Sequence, residues 1–229
     1  GGAISMGKRV WSVEHLAFDS VTLSIRLEDG EMGYPGNLTA HVTYSLLPDG
    51  VFDVKMSATT DATTLCNMAH HSYFNLGEDS ISDHLLQVEA DHYLPVDDEL
   101  IPTGEIASVA GTKFDFRQPN PVSQARLVDH NFCCASQKGS LRRIATLSSA
   151  AGGVTMEVHS TEPGLQVYDG AKINIDLAGL SGQEMRAHSG IALEPQIWPD
   201  ANHHKTFPQA VLTPDETYQQ HTQYRFSKG

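Results

Sequence analysis

Between residues 38 and 58 the chain alternates apolar and polar side chains with a period of two, broken once by a turn. Leu38, Ala40, Val42, Tyr44 and Leu46 alternate with Thr39, His41, Thr43 and Ser45. After Pro48-Asp49-Gly50, Phe52, Val54, Met56 and Ala58 alternate with Asp53, Lys55 and Ser57. Successive side chains of an extended strand leave opposite faces, so this pattern buries one face and wets the other. Proline presets φ and glycine accepts the left-handed conformation, which lets the three intervening residues reverse the chain. The spacing predicts an antiparallel hairpin, and a chain that opens this way has to build a sheet with one covered face.

The same rhythm recurs. Leu141 to Leu147 and Val154, Met156 and Val158 read as a second hairpin across Gly152-Gly153, and Tyr218 to Phe226 reads as a strand near the C-terminus. Shorter runs at 21–27, 85–90, 165–168 and 190–193 add further strands, while no stretch of three helical turns carries an apolar face. Many strands separated by Gly, Pro and Asp turns predict an all-β fold, a large antiparallel β-sandwich. No repeat, low-complexity run or linker divides the chain, so residues 1–229 are expected to form a single domain. The span 91–124, with Pro95, Pro102, Pro119 and Pro121, is expected to be a long loop crossing between sheets, where sites are often built.

Composition narrows the function. A net charge of −13 and the absence of any basic run argue against nucleic acid or an anionic membrane surface as partner, whereas a neutral polyhydroxylated small molecule is not repelled. No apolar run approaches the roughly 20 residues of a membrane helix. The three cysteines, Cys66, Cys133 and Cys134, cannot all pair and suit a reducing, cytoplasmic setting. The N-terminal Gly1-Gly2-Ala3 reads like the middle of a loop, and the chain is expected to accompany or lack an N-terminal fragment of the same protein.

Two stretches carry the candidate chemistry. In Ile191-Ala192-Leu193-Glu194-Pro195-Gln196, apolar residues run up to one carboxylate and then a proline, which has no N–H for a sheet; the strand is expected to end there or lie at an edge. Glu194 would sit at the mouth of an apolar wall, where desolvation raises a carboxyl towards the range of a general base. On spacing alone a strand-end Glu in a surface salt bridge is the plainer reading. In Ala69-His70-His71-Ser72-Tyr73-Phe74-Asn75, the two histidines are expected to face opposite sides, one inward and one outward. Histidine can give and take a proton near neutrality, although a core histidine bonded to backbone is the plainer explanation of either ring. Tyr73, Phe74 and Asn75 supply the rings and planar amide that sugars use. Asp129-His130-Asn131 offers groups for vicinal hydroxyls, or an Asx-turn.

Other chemistries lack their motifs. His70/His71 and His203/His204 are adjacent pairs rather than the spacings that put two ring nitrogens on one metal, and neither CxxC nor HExxH occurs, so no metal is expected. No GxSxG elbow, P-loop or dinucleotide fingerprint is present, so no cofactor is expected either.

Together these stretches resemble the aldose 1-epimerases. Gly30-Glu31-Met32-Gly33-Tyr34-Pro35-Gly36-Asn37-Leu38 is similar to the family's DGEEGYPGNL segment, Ala69 to Leu76 to its NHSYFNL motif, Asp129 to Phe132 to DHNF, and Leu193 to Gln196 to LEPQ. The four motifs stand in the family's order along essentially the whole chain. The resemblance implies a large β-sandwich whose cleft holds a free hexose, and interconversion of the α and β anomers of an aldose such as galactose or glucose. It implies Glu194 as general base on the anomeric hydroxyl and His71 as general acid on the ring oxygen. Asp129 would hold sugar hydroxyls, with Gln196, Tyr73 and Asn75 orienting the ring. Two departures matter. The family's usual N-terminal segment, which brings an arginine and a further histidine to the sugar, is not part of this sequence, so the sandwich is expected to lack its N-terminal strands. His70 stands where the motif usually has Asn, an exchange expected to cost an amide hydrogen bond. The competing readings are an epimerase of hexose 6-phosphates, for which Arg142-Arg143 and Lys8-Arg9 are the only paired cations, and a sugar-binding module without catalysis.

Overall fold

The protein is described from a computed structural model, which covers residues 1–149, 151, 153–179 and 182–228. Its strands, in chain order, are β1 (Ser12–Leu16), β2 (Ser20–Leu27), β3 (Leu38–Leu47), β4 (Val51–Thr60), β5 (Thr64–Leu65), β6 (Tyr73–Phe74), β7 (Leu85–Val88), β8 (His92–Tyr93) and β9 (Ala107–Ser108). They continue with β10 (Asn120–Pro121), β11 (Asp129–Cys133), β12 (Arg142–Ser148), β13 (Val154–Ser160), β14 (Gly164–Tyr168), β15 (Ile191–Gln196), β16 (Val211–Leu212) and β17 (Tyr218–Lys228). Among the described residues, helical structure is confined to 3₁₀ turns of three or four residues, so none is long and apolar enough to cross a membrane.

The strands pair antiparallel into a nine-stranded sheet, β1-β2-β3-β4-β17-β13-β12-β7-β10, and a six-stranded sheet, β6-β15-β14-β11-β8-β9; β16 and β5 pair separately. The expected hairpin is β3–β4, in register from Leu38 opposite Thr60 to Leu47 opposite Val51. Its turn puts Asp49 and Gly50 at positive φ, 61° and 72°. A Cβ on Gly50 would meet the Phe226 carbonyl at 2.7 Å, so glycine answers both the conformation and the close approach. The second hairpin, β12–β13, also forms, with a bulge between Arg143 and Ala145; Gly152 of its turn lies outside the described residues.

Alternation turns into layers. Val54, Met56, Val158 and Tyr224 from the nine-stranded sheet meet Phe132, Leu165, Val167 and Leu193 from the six-stranded one in one continuous buried core. The all-β sandwich expected from the pattern is the fold observed. The sequence left the order of the sheets open: β17, last in the chain, lies between β4 and β13 and supplies the centre of the larger sheet.

One expectation needs correction. The span 91–124 is not one loop: β8 and β9 extend the six-stranded sheet and β10 ends the nine-stranded one, so it crosses between sheets while pairing with both. Pro121 is tolerated because β10 is an edge. The strand carrying Glu194 takes the second of its two expected courses, the edge: β15 runs past Pro195 to Gln196, paired with β14 from Ala192 onward. On its other side β6 reaches only Ile191 and Ala192, so the proline sits where no further neighbour asks for an N–H.

Candidate active site

The six-stranded sheet presents its second face away from the core, and strand register determines what stands there. Gln166 lies opposite Glu194, Asn131 opposite Gln166, and Asp129 opposite Tyr168. Partners across a ladder share a face, so Asp129, Asn131, Gln166, Tyr168, Ala192, Glu194 and Gln196 all project the same way. Tyr73 of β6 pairs with Ala192 and joins them.

Glu194 is only 7% exposed. Burial, reinforced by the nearby Asp129 carboxylate, pushes its carboxyl up to about 8. His71 reaches over it from the stretch before β6, with Nε2 3.5 Å from Glu194 Oε1 and half of its side chain exposed. One imidazole and one desolvated carboxyl therefore share one patch of surface. The Tyr73 ring lies 5.1 Å from that of His71 and 6.1 Å, edge-on, from that of Tyr168, forming an aromatic wall beside the pair. Burial with the neighbouring Tyr168, Glu194 and Asp129 charges raises the Tyr73 phenol above its usual value, so it stays a neutral hydrogen-bonding group.

The histidines divide as expected, although 69–72 is not itself strand. His71 faces out and His70 faces in, packed against the rings of Tyr44, Phe52 and Tyr224 at 5.6 Å each. Burial, with the charge of His71, lowers His70 to about 4, so its ring is neutral near pH 7. Phe74 also turns inward, 4.6 Å from Tyr224.

The other expected site residues fall differently. Asp129 stands on the open face and accepts a 2.8 Å hydrogen bond from Gln166 Nε2. Gln196 lies one pleat beyond Glu194 on the same face, half-buried. Asn75 is engaged with backbone: its Nδ2 donates to Ser189 O, and its Oδ1 accepts from Gly77 N and Glu78 N. Those bonds fasten the turn after β6 and tie it to Ser189, and the second Nδ2 proton of this exposed side chain is still available to a ligand. Gln166 and Tyr168 were not singled out from the sequence. The available signal was the alternation Gly164-Leu165-Gln166-Val167-Tyr168, but it becomes informative only once the register sets Gln166 beside Glu194.

The Arg142-Arg143 pair does not join the site. Arg142 is bound to the carbonyls of Ser160 and Glu162, and Arg143 to the carboxylates of Glu89 and Glu157 on the larger sheet. A phosphate dianion would find no ready partner in either arginine. A cavity of about 220 Å³ lined by Met32, Tyr34, Cys66, Asn67, Trp198 and Asp200 lies beyond the end of β15. Neither His71 nor Glu194 lines it.

The chain has relatives among known proteins. Residues 1–225 match the family model described as aldose 1-epimerase. The chain is 42% identical over 236 residues to the galactose mutarotase of Bos taurus, covering 99% of this chain and 68% of that protein. Among solved structures it is similar to the aldose epimerase homologue from C. elegans, with a TM-score of 0.89 and 30% identity over 97% of this chain and 70% of that one. It is likewise similar to galactose 1-epimerase from Lactobacillus acidophilus NCFM, with a TM-score of 0.84 and 30% identity over 99% of this chain and 69% of that one.

Proposed function

Because the chain belongs to the aldose 1-epimerase family, we propose that it interconverts the α and β anomers of a free hexose such as galactose or glucose. The observation that carries this is the pairing of a desolvated carboxyl with an imidazole, Glu194 Oε1 and His71 Nε2 being 3.5 Å apart on an open sheet face.

A hemiacetal carries its hydroxyl and its ring oxygen on one carbon, so the groups that serve them have to stand a few ångströms apart. Glu194, ionised, takes the proton from the C1 hydroxyl as the C1–O5 bond breaks, and His71 gives a proton to the departing ring oxygen. The product is the open aldehyde with its C5 hydroxyl. Rotation about C1–C2 exposes the other carbonyl face; His71 then removes the hydroxyl proton, O5 attacks C1, and Glu194 returns its proton to the carbonyl oxygen. Protons and electrons balance over the cycle, and no group outside the chain enters it. Each positioned acid or base contributes about 10² to 10⁴ in rate. Asp129, held by Gln166, and Gln196 accept or donate to sugar hydroxyls, and Tyr73 offers a ring face to the apolar side of the hexose. The three cysteines, none in a disulfide, support placing the enzyme in the cytoplasm.

Glu194→Gln tests the reading. Polarimetry of α-galactose should show the catalysed rate falling about 100-fold or more, with the fold retained by circular dichroism. Sugar binding with no rate enhancement in the wild type would identify a binding module instead.

A further inference from the structure

His70 is buried directly behind the active-site face, and its ring is hydrogen-bonded at both nitrogens. The Tyr224 hydroxyl donates its one proton to Leu193 O at 3.0 Å. Its oxygen therefore accepts from His70 Nδ1, 3.3 Å away. With the proton on Nδ1, Nε2 is bare and accepts from Ser72 Oγ at 2.9 Å. A continuous chain of hydrogen bonds thus runs from the residue after His71 to the carbonyl of the residue before Glu194. Gln220, two pleats along β17 from Tyr224, closes a second one: its Nε2 donates to Met68 O at 2.8 Å and to Pro195 O at 3.1 Å. The two carbonyls that flank Glu194 are each held by a buried side chain of β17, and the same side chains reach the strand of sequence that ends in His71.

We propose that His70, Tyr224 and Gln220 form a buried polar clamp that fixes the backbone of Glu194 against that of His71, acting as positioning residues for the proton exchange. The idea rests on the mutarotase reading of the site. The clamp also accounts for His at position 70. A ring with one donor and one acceptor edge spans the gap from Ser72 to Tyr224, whereas a shorter amide reaches one of the two.

The test uses His70→Phe, which keeps a buried ring but removes both hydrogen bonds, and Tyr224→Phe, which removes only the hydroxyl. The control is His70→Asn, which restores a donor towards Tyr224. Polarimetric kcat and KM are measured alongside a ¹³C-carboxyl titration of Glu194, whose carboxyl is faced by His71, Tyr73, Asp129 and Tyr224. Misplacement of a reacting group by about 1 Å costs roughly 100-fold. Both Phe variants should lower kcat about 10-fold or more with KM within about twofold, and His70→Asn should recover most of it. The Glu194 midpoint should fall by roughly half a unit or more in the Phe variants, because a loosened carboxyl reaches water. Wild-type kcat in folded His70→Phe overturns the clamp, as does a loss of kcat with the Glu194 titration unmoved, which a smaller folded fraction would produce. If the wild type does not accelerate mutarotation, the functional reading fails while the titration still decides the clamp: a midpoint that falls upholds it, and one that stays overturns it.

Discussion

Glu194 is a carboxyl whose folded value of about 8 stands well above its ordinary 4.5, chiefly through burial. Two outcomes follow at the scale of this residue. A base must be ionised to act, so kcat/KM for mutarotation should rise with pH through a midpoint within about one unit of 8. A limb at the pH of an exposed carboxylate would place the base elsewhere. Stability moves the other way. Folding favours the protonated form, so there is no cost below about pH 4.5, and the cost grows as pH rises through 8. Glu194→Gln should therefore leave the melting temperature nearly unchanged at pH 4 and stabilise the fold at pH 9 by on the order of 2–4 kcal/mol, measured by denaturant titration. His70 shows the opposite relation between sequence and structure. The motif departure there predicts a lost hydrogen bond, but the ring finds Ser72 and a tyrosine 154 positions away. That compensation is invisible to any local reading.

At the scale of the element, β14 is the strand that makes β15 into a site, and Gly164 sets how closely it approaches. A Cβ there would stand 2.5 Å from Asn131 Oδ1, 2.9 Å from Trp198 Cδ1 and 3.0 Å from Gln196 O. Two of these are a buried amide and a backbone carbonyl, which have little room to give. Gly164→Ala should cost about 1–3 kcal/mol and lower the melting temperature by several degrees, read by thermal circular dichroism. An unchanged melting temperature would show that β14 can slide away from β11 and β15. The strands themselves were legible, because a half-buried strand writes its inner face into every second residue. Their ends were less so. Pro195 reads as a stop or an edge, and only the structure chooses the edge, because β6 is too short to need its N–H. The proline-rich span 91–124 reads as a loop, yet two-residue pairings carry it along both sheets, below the length at which alternation becomes a signal.

For the whole molecule, the nine-stranded sheet ends in β1, whose five residues are all exposed. Val13 and Leu16 on that strand are 62% and 73% exposed, and Phe18 just beyond it is fully so. An unpaired edge with apolar side chains templates pairing with a second chain. Val13→Lys should reduce association of this chain at high concentration, read as a lower apparent mass by light scattering, while the melting temperature moves by about 2–4 °C or less. An unaltered mass would show that the edge does not drive association.

The sequence by itself determined the fold class and the two long hairpins, and it offered Glu194 and His71 as a candidate proton-handling pair, because periodicity and motif are local properties of a chain. What only the tertiary structure decided is which side chains stand around that pair. Gln166 enters, Asn75 is tied to the backbone of Ser189 and of its own turn, and Tyr224 and Gln220 arrive behind the pair from β17. The physical reason is register. Hydrogen bonds between strands distant in the chain set which residues share a face, and no stretch of sequence carries the offset between two strands that meet only after folding.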